Sequence, residues 1–284
     1  MKFIRLTTIA ALSTTILAGG AVSAFADDAT TDSADESTTE VRKVTTDGQI
    51  QFTADEEGEL EVIPPVPDPD VIIPPIVDPV TGPLSIVQAP TMNFGSQVIS
   101  NQDQTYNMVA EMAKLANPEE DGPTEVPYIS FAQVQDVRGT NAGWDLQVSL
   151  SDFTSSTQNN ILTGAQIELV NSRIQYEGSN QANSPVNHTA GLKLIPNAGA
   201  VSVMTASEGK GAGASSVVWG DQASLDAQDS EGIVTNNAIQ LSIPGSTAKD
   251  ATTYTSTLTW ELTTTPDDDA GEPDTDQTNP EGNE

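Results

Sequence analysis

The alternating stretch 254–266, YTSTLTWELTTTP, constrains the fold more than any other part of the chain. Side chains of a β-strand point to opposite faces in turn, so Tyr254, Leu258, Trp260 and Leu262 share one face, and the other face carries only threonine and glutamate. Threonine, tyrosine and tryptophan favour strands, and no glycine or proline interrupts the stretch before its last residue. These features predict a strand with one largely apolar face and one polar face.

A second stretch, far upstream, has the same pattern. Residues 143–150, GWDLQVSL, place Trp144, Leu146, Val148 and Leu150 on one face. The chain therefore contains two predicted strands that each carry a Trp-x-Leu motif.

The β character extends over residues 84–266. Strands are predicted at 84–87, 91–94, 98–99, 128–137, 143–150, 165–170, 172–176, 192–195, 201–204, 216–219, 238–243 and 252–264, with Gly, Pro and Asn residues between them. Many short strands at fairly regular spacing are typical of an antiparallel β-sandwich or a barrel-like fold. We therefore predict one all-β domain, because a core region of about 180 residues is long enough to fold alone.

Three other segments have local patterns of their own. Residues 49–53, QIQFT, alternate and predict a short first strand. Residues 63–83 contain eight prolines and form either an extended polyproline spacer or a loop that packs on the domain and carries segment 49–53 to a sheet edge. Residues 107–116 place Met108, Met112 and Leu115 at helical spacing and predict a turn or two of helix.

The two ends of the chain differ from the β region. Residues 1–26 combine a positively charged start, an apolar run and the small-x-small sequence AFA, as secretory signals do, and the run is too short for a membrane span. Residues 27–45 and 267–284 are acidic and poor in large apolar groups, so both predict disorder. The chain has no cysteine, so the core alone must hold an exported product together.

Few residues support metal binding or nucleophilic catalysis. His188 is the single histidine, and it lies in a polar stretch that is predicted to be an exposed loop. Because there is no cysteine and no second histidine, a zinc site of histidine and cysteine is excluded. A Ser-His-Asp triad would have to use His188 as its base. The glycines of 209–213 lack the Walker spacing and predict a flexible turn. The net charge of −31, with no basic stripe, disfavours nucleic acid as a partner.

A paired-carboxylate glycosidase remains open as an enzyme interpretation, because it needs only two acids at the right separation. The candidate acids are Asp136, Asp145, Asp152, Glu168, Asp221 and Glu261. Acids on the polar face of half-exposed strands are, however, what a soluble sheet carries in any case. We therefore expect no enzymatic activity, no cofactor and no metal site.

The two motifs resemble those of a known family. The sequence WDLxV at 144–148 and the pattern YxxxLTWxLxxTP at 254–266 resemble the proximal and distal motifs of the WxL surface domain of low-GC Gram-positive bacteria. The sequence DVRG at 136–139, followed by GW, resembles the DxRGT…GW stretch of that family, and residues 82–86 and 93–95 resemble its opening. The resemblance extends from about residue 46 to residue 266.

The resemblance implies a domain that binds peptidoglycan noncovalently and holds secreted proteins at the cell wall. It also implies partners, namely other WxL proteins and a membrane-anchored WxL-interacting protein in a shared surface complex. We expect a secreted protein located at the cell surface, without stable membrane insertion. The alternative is a protein–protein interaction subunit whose direct ligand is the membrane-anchored partner rather than glycan.

Two interpretations of the motif residues are open. Trp144 and Trp260 either form an aromatic platform that stacks on sugar rings or point into the sandwich with the apolar residues that share their faces, and the shared parity favours the core. Trp219 is compatible with either role. Asp136 and Arg138 are interpreted as a pair that fixes a turn rather than as a ligand clamp. The candidate site residues are thus Trp144, Leu146, Tyr254, Leu258, Trp260, Leu262, Asp136 and Arg138.

Overall fold

The computed structural model describes residues 48–54, 60–75, 82–228 and 232–264. The predicted signal, the acidic segment 27–45 and the tail 267–284 lie outside these residues. The chain divides into two units, and residues 48–50 belong to the first of them, where they are exposed and have no secondary structure. All elements named below belong to the second unit.

The second unit is an antiparallel β-structure, which confirms the predicted fold class. Its strands are β1 (Val71–Ile72), β2 (Leu84–Gln88), β3 (Gln104–Val109), β4 (Glu111–Leu115), β5 (Glu125–Tyr128), β6 (Ser130–Asp136), β7 (Trp144–Leu150), β8 (Gln166–Leu169), β9 (Arg173–Tyr176), β10 (Val186–Asn187), β11 (Leu192–Leu194), β12 (Val201–Ala206), β13 (Gly213–Trp219), β14 (Thr235–Ile243) and β15 (Leu258–Thr263). The short helix α1 (Gln222–Asp226) connects β13 to β14, and a 3-10 turn (Gln181–Asn183) precedes β10.

Four sheets result from the pairing. Three have four strands, in the orders β10-β12-β7-β15, β11-β8-β14-β3 and β2-β6-β13-β9, and the fourth has the order β1-β4-β5. Among the described residues no helix is long and apolar enough to cross a membrane.

The main core lies between the three four-stranded sheets. It contains side chains such as Leu146 of β7, Ile167 of β8 and Val217 of β13. The sheet of β6 and β13 also has a core on its other face, where Phe131 and Val218 join the second cluster. This follows from strand geometry, because adjacent residues of one strand point to opposite sides.

The described part of the proline-rich run packs on this second core. Val62 and Val71 are buried in it, and β1 pairs with β4. The backbone of Ile63 exchanges two hydrogen bonds with the side chain of Gln133, at 2.9 Å and 2.7 Å. Residues 60–75 therefore form a packed loop and not a projecting spacer.

Several local predictions are wrong. Segment 49–53 is not a strand, residues 91–94 and 98–99 form no ladder, and the distal strand begins at Leu258 rather than at 252. The predicted helix at 107–116 is instead the end of β3 and the whole of β4: Met108 is fully buried but Met112 is 56% exposed, which does not fit one helical face. The partner strands β14 and β5 provide sheet pairing that overrides the local spacing.

Candidate functional site

The two Trp-x-Leu motifs lie on neighbouring strands. Among the described strands β15 pairs only with β7, and Leu262 lies opposite Leu146, Trp260 opposite Val148 and Leu258 opposite Leu150. Trp144 and Trp260 are therefore offset by four register positions, or about 13 Å along the strands at ~3.3 Å per residue. The motifs meet through their leucines, and the two rings are not side by side.

Trp144 is a core residue. It has no exposed surface, and its indole Nε1 donates a 3.2 Å hydrogen bond to the carbonyl oxygen of Gly211. Gly211 has φ +74°, and a Cβ atom there would lie 2.5 Å from the Cβ of Ala206 and 2.8 Å from the indole nitrogen. Only glycine allows the turn to approach the ring so closely, which shows that the glycine-rich turn is shaped around Trp144.

Trp219 connects the distal motif to the histidine. Trp219 is fully buried, and its Nε1 donates a 2.8 Å hydrogen bond to Nε2 of His188. The ring of Trp260 is partly buried and lies 6.2 Å, centroid to centroid, from the ring of Trp219. Trp260 is thus at the rim of the core, with the fully buried Trp219 beneath it.

His188 is buried, so the prediction of an exposed loop histidine is wrong. It is 2% exposed, and Nδ1 lies 2.6 Å from the carbonyl oxygen of Thr189. An indole N–H can only donate, so Nε2 accepts and Nδ1 carries the proton of a neutral ring. Burial lowers the pKa of His188 below its ordinary value, although the hydrogen bond to Thr189 opposes this. Both ring nitrogens are occupied, which leaves neither available as a general base.

Tyr254 fixes the loops that precede the distal strand. Its hydroxyl donates to the carbonyl oxygen of Asn159 at 2.6 Å and accepts from the backbone N–H of Asp250 at 3.0 Å. The side chains of Asn159 and Asp250 are hydrogen-bonded to each other at 2.7 Å. The ring packs on the main core, so both the ring and the hydroxyl of Tyr254 are held by contacts within the fold.

Asp136 and Arg138 form a direct ion pair. Nε and Nη2 of Arg138 donate to the two carboxylate oxygens of Asp136 at 2.9 Å and 2.7 Å, and Nη2 also donates to the carbonyl oxygen of Gly143 at 2.9 Å. These hydrogen bonds raise the pKa of Arg138. The pair therefore holds the turn between β6 and the first motif, and the carboxylate is already engaged on both oxygens.

A polar recess lies beside α1, on a different part of the domain from the two motifs. It consists of two adjoining cavities of about 290 Å³ and about 510 Å³, which share Asp221, Ser224 and Asn237. The larger cavity is also lined by Asn171 and Arg173. No aromatic side chain lines either cavity. The volumes fall in or near the range of about 300–1,000 Å³ that is usual for ligand sites.

A bulge in β14 shapes this recess. The register with β3 shifts between Asn236 and Gln240, and Asn236 is buried, with its amide donating to the carbonyl oxygen of Trp219 at 3.0 Å and accepting from the N–H of Ala238 at 3.0 Å. Asn237 is exposed at the bulge. Bulges of this kind re-aim side chains. Here the bulge directs an amide toward the recess.

The recess is lined by polar groups, two of which make no hydrogen bond to any described residue. Asn171 and Asn237 are exposed, and their side chains make no hydrogen bond to any described residue. Arg173 donates to the carbonyl oxygen of Gly220 and forms no ion pair within the described chain. Asp221 caps α1 through Oδ2, which accepts from Ser224. The recess thus presents two amides, one guanidinium and one carboxylate, of which the last two are also engaged within the fold.

Comparison with known proteins identifies the family. The family model described as "WxL domain surface cell wall-binding" matches residues 39–266, which is most of the chain.

The chain belongs to the WxL family.

The suspected resemblance is thereby confirmed, and with it a cell wall-binding surface role. No curated protein and no solved structure matches the chain. The fold of this WxL domain is thus described from its own structure.

The structure distributes the predicted site residues of the WxL domain over three places. Leu146, Leu258, Trp260 and Leu262 lie together on β7 and β15. Tyr254 lies in the loops before β15. The Asp136–Arg138 pair lies shortly before Trp144 in the chain, near the first residue of β7. None of these residues lines the polar recess.

The WxL motif contains a buried carboxylate, Asp145, which the sequence indicated only as a candidate glycosidase acid and not as a structural residue of the motif. Asp145 has no exposed surface and accepts hydrogen bonds from Thr205 at 2.7 Å, from Gln147 at 2.6 Å and from the hydroxyl of Ser202. A buried carboxylate is tolerated only when its oxygens are satisfied. Asp145, the residue at the x position of the proximal motif, therefore links β7 to β12 through buried hydrogen bonds.

Four of the six acids considered for a glycosidase have structural partners. Asp136 is ion-paired, Asp145 is buried among donors, Asp221 caps α1, and Asp152 accepts from Asn197 at 2.8 Å. Within the described residues no group of three or more histidine and acidic side chains is arranged to hold a metal ion. The WxL domain is described as wall-binding and not as an enzyme family.

Proposed function

We propose that this WxL protein binds peptidoglycan noncovalently after export and is thereby retained at the surface of a Gram-positive cell. The observation that carries the proposal is the family match over residues 39–266, together with both motifs on paired strands of one folded unit. The proposed function needs contact and no catalysis, and it is supported by the engagement of four of the six candidate acids in the fold.

The motif residues serve the wall-binding surface indirectly. Trp144, Leu146 and the half-buried Leu258 and Leu262 contribute to the main core, and the Asp136–Arg138 pair holds a turn. Burial of an aromatic ring dominates the local packing energy. We propose that these residues stabilise the domain and that ligand contact occurs elsewhere, on the polar recess.

The recess favours the peptide part of peptidoglycan over its sugars. Sugar rings are commonly bound by stacking on aromatic side chains, and none lines the recess. The peptide stems of murein carry free carboxylates, amides and, at the diamino acid, an amino group. Arg173 matches a carboxylate, Asn171 and Asn237 match amides, and Asp221 matches an amine. The ligand proposed for this surface is therefore a stem peptide.

The test is cosedimentation with protein-free peptidoglycan. Arg173→Gln removes the guanidinium, and Lys193→Gln on β11, which is exposed and removes the same charge, is the matched control. Loss of one charge-assisted hydrogen bond, worth about 1.5–3 kcal/mol, should weaken binding by roughly tenfold or more. The control should bind like the wild type, and both variants should keep the wild-type melting temperature.

The outcomes separate the two parts of the proposal. If the wild type does not sediment with peptidoglycan, the proposed function is wrong. If the wild type binds and Arg173→Gln binds equally well, the wall-binding function stands and the recess is not its surface. In that case Trp260→Ala identifies whether the partly exposed ring at the core rim makes the contact instead.

A second candidate function is supported by the edge of the motif sheet. β15 has a described neighbour on one side only, so its other edge is suited to receive a strand from another protein. In this alternative the direct ligand is a membrane-anchored WxL-interacting protein, or another WxL protein, and the location at the wall follows from that complex. Peptidoglycan freed of all protein distinguishes the two, since only the first function predicts binding to it.

A further inference from the structure

Segment 49–53 has an alternating pattern and pairs with none of the described strands. Ile50 is 75% exposed and Phe52 is 84% exposed. The polar residues Gln49, Gln51 and Thr53 alternate with them, and none of the five is charged, although the chain has a net charge of −31. A short uncharged segment with exposed apolar residues at every second position has the features of an unpaired β-strand.

β15 has the complementary property, an open hydrogen-bonding edge. Ser151 N donates to the carbonyl oxygen of Thr257 at 2.9 Å, and the same register continues along β7 and β15. Hydrogen-bonded pairs alternate in antiparallel sheets, so Thr259 and Glu261 point their backbone groups toward β7. The N–H and C=O groups of Leu258, Trp260 and Leu262 therefore point to the side of β15 that has no neighbour among the described strands.

The apolar face of β15 is also incompletely covered. Leu258, Trp260 and Leu262 are all half-buried against the main core, whereas their partners on β7 are fully or almost fully buried. Thr259 and Glu261 on the opposite face are exposed. A strand added to this edge would cover the remaining apolar surface of the three residues.

No other edge of the described sheets is as well suited to strand addition. The edge strands β1, β5, β9, β10 and β11 have two to four residues each. β2 and β3 have register shifts in their pairing with the adjacent strand. β15 has six residues and pairs without a shift, and it contains no proline or basic residue. Natural proteins usually protect such an edge with proline, bulges or charged residues, and β15 has only the exposed Glu261 among these.

We propose that segment 49–53 of one copy adds as a strand to the open edge of β15 in a second copy. Ile50 and Phe52 are two residues apart, as are successive members of the Leu258, Trp260, Leu262 row, so the incoming apolar residues extend the inner face. Gln49, Gln51 and Thr53 then lie beside Thr259 and Glu261 on the outer face. This self-association uses a surface separate from the polar recess and does not depend on what the recess binds.

Sedimentation of the full chain at increasing concentration measures the association. Phe52→Asp places a charge on the donor's apolar face and should raise the dissociation constant at least tenfold. Val98→Asp, at an 88% exposed aliphatic residue, is the matched control and should associate like the wild type. Both residues are solvent-exposed in the single chain, so neither substitution should change the melting temperature at concentrations where the wild type is monomeric. A wild type that is monomeric up to its solubility limit, or equal effects of the two substitutions, would overturn the proposal.

Disulfide trapping locates the contact, because the chain has no cysteine of its own. A Gln51→Cys protein is mixed and oxidised with a Thr259→Cys or a Glu261→Cys protein, which cover the two registers. Covalent heterodimers are expected with at least one of them and not with Thr105→Cys, an exposed position on the edge strand β3. Absence of heterodimers, or a cross-link that forms only within one chain carrying both substitutions, contradicts exchange between copies.

Discussion

Leu146 and Leu262, the leucines of the two Trp-x-Leu motifs, lie directly opposite each other on adjacent antiparallel strands. The motifs are distant in sequence, yet they form one structural unit, the pair of β7 and β15. Each motif thus provides one strand of the pair, and the two strands come from distant parts of the chain. The two copies of the short pattern therefore meet in one place in the fold.

The first prediction compares the two motif tryptophans. Trp144→Ala removes a completely buried ring and its hydrogen bond to Gly211, and should lower the free energy of unfolding by about 3–5 kcal/mol. Trp260→Ala removes a half-buried ring on an edge strand and should cost about half as much. Denaturant unfolding of the two variants measures the difference. Equal losses would mean that the ring of Trp260 is as important to the core as that of Trp144.

The second prediction concerns the buried carboxylate of the proximal motif. Asp145→Ala removes the acceptor that the hydroxyls of Ser202 and Thr205 share, and since one of them can still donate to the other, one buried donor is left unsatisfied, at about 1–3 kcal/mol. Asp145→Asn keeps an oxygen that accepts from both hydroxyls, and a rotated Gln147 amide can pair with the new NH₂ group. The alanine variant should therefore unfold at clearly lower denaturant concentration than the asparagine variant. The opposite order would show that the negative charge itself is needed.

The third prediction is a pH dependence of stability that arises from His188. Burial lowers the pKa of His188 in the folded state, so the unfolded chain binds the proton more readily. The histidine's contribution is then fully present above its unfolded pKa, which is about 6.5, and is lost as the pH falls below that value. Protonation would also place a donor at Nε2, facing the N–H of Trp219. The wild type should lose stability between about pH 7.5 and about pH 5.5.

His188→Gln is the control for this pH dependence, because its carbonyl oxygen can accept from Trp219 but does not titrate. Glu111 contributes a pH dependence of the opposite sign. Burial raises the pKa of Glu111, so the folded state binds a proton more readily than the unfolded chain. The protein therefore gains stability from Glu111 as the pH falls toward that raised pKa. That contribution is common to both proteins and cancels in the comparison. Melting curves with the same pH dependence in both proteins would contradict the assignment to His188.

The sequence predicted the motif strands well because apolar and polar residues alternate in them, which indicates one buried face. The half-buried face of β15 and the buried Trp144, Leu146 and Val148 of β7 all follow from a two-residue period. That β7 and β15 are neighbours could not be predicted in this way, since pairing depends on the whole topology. The family resemblance identified the two motifs but did not predict that their strands pair.

The errors in prediction have a common physical origin. His188 is surrounded by polar residues in the sequence, but its burial depends on Trp219, which is distant along the chain and provides its partner. Residues 107–116 have helical spacing, but β14 and β5 provide sheet hydrogen bonds. The recess depends on the bulge of β14, where Asn236 turns inward and Asn237 outward. Each feature is set by contacts between distant segments, which local patterns do not contain.

The fourth prediction concerns salt. The chain has a net charge of −31, and the cell wall of a Gram-positive bacterium is itself rich in anionic polymer. Long-range electrostatics therefore oppose the encounter, and salt screens that repulsion. Binding to intact walls should stay constant or strengthen between low salt and about 0.15 M, where the Debye length is about 8 Å. Release of the protein from walls by moderate salt would instead indicate that attraction between opposite charges holds it.

The most direct test of wall binding is cosedimentation of the full, purified chain with peptidoglycan that has been stripped of proteins and anionic polymers. The protein is predicted to sediment with the peptidoglycan in a saturable manner, and Trp144→Ala should lose binding only to the extent that it unfolds. A folded wild-type protein that remains in the supernatant at every peptidoglycan concentration would contradict the account.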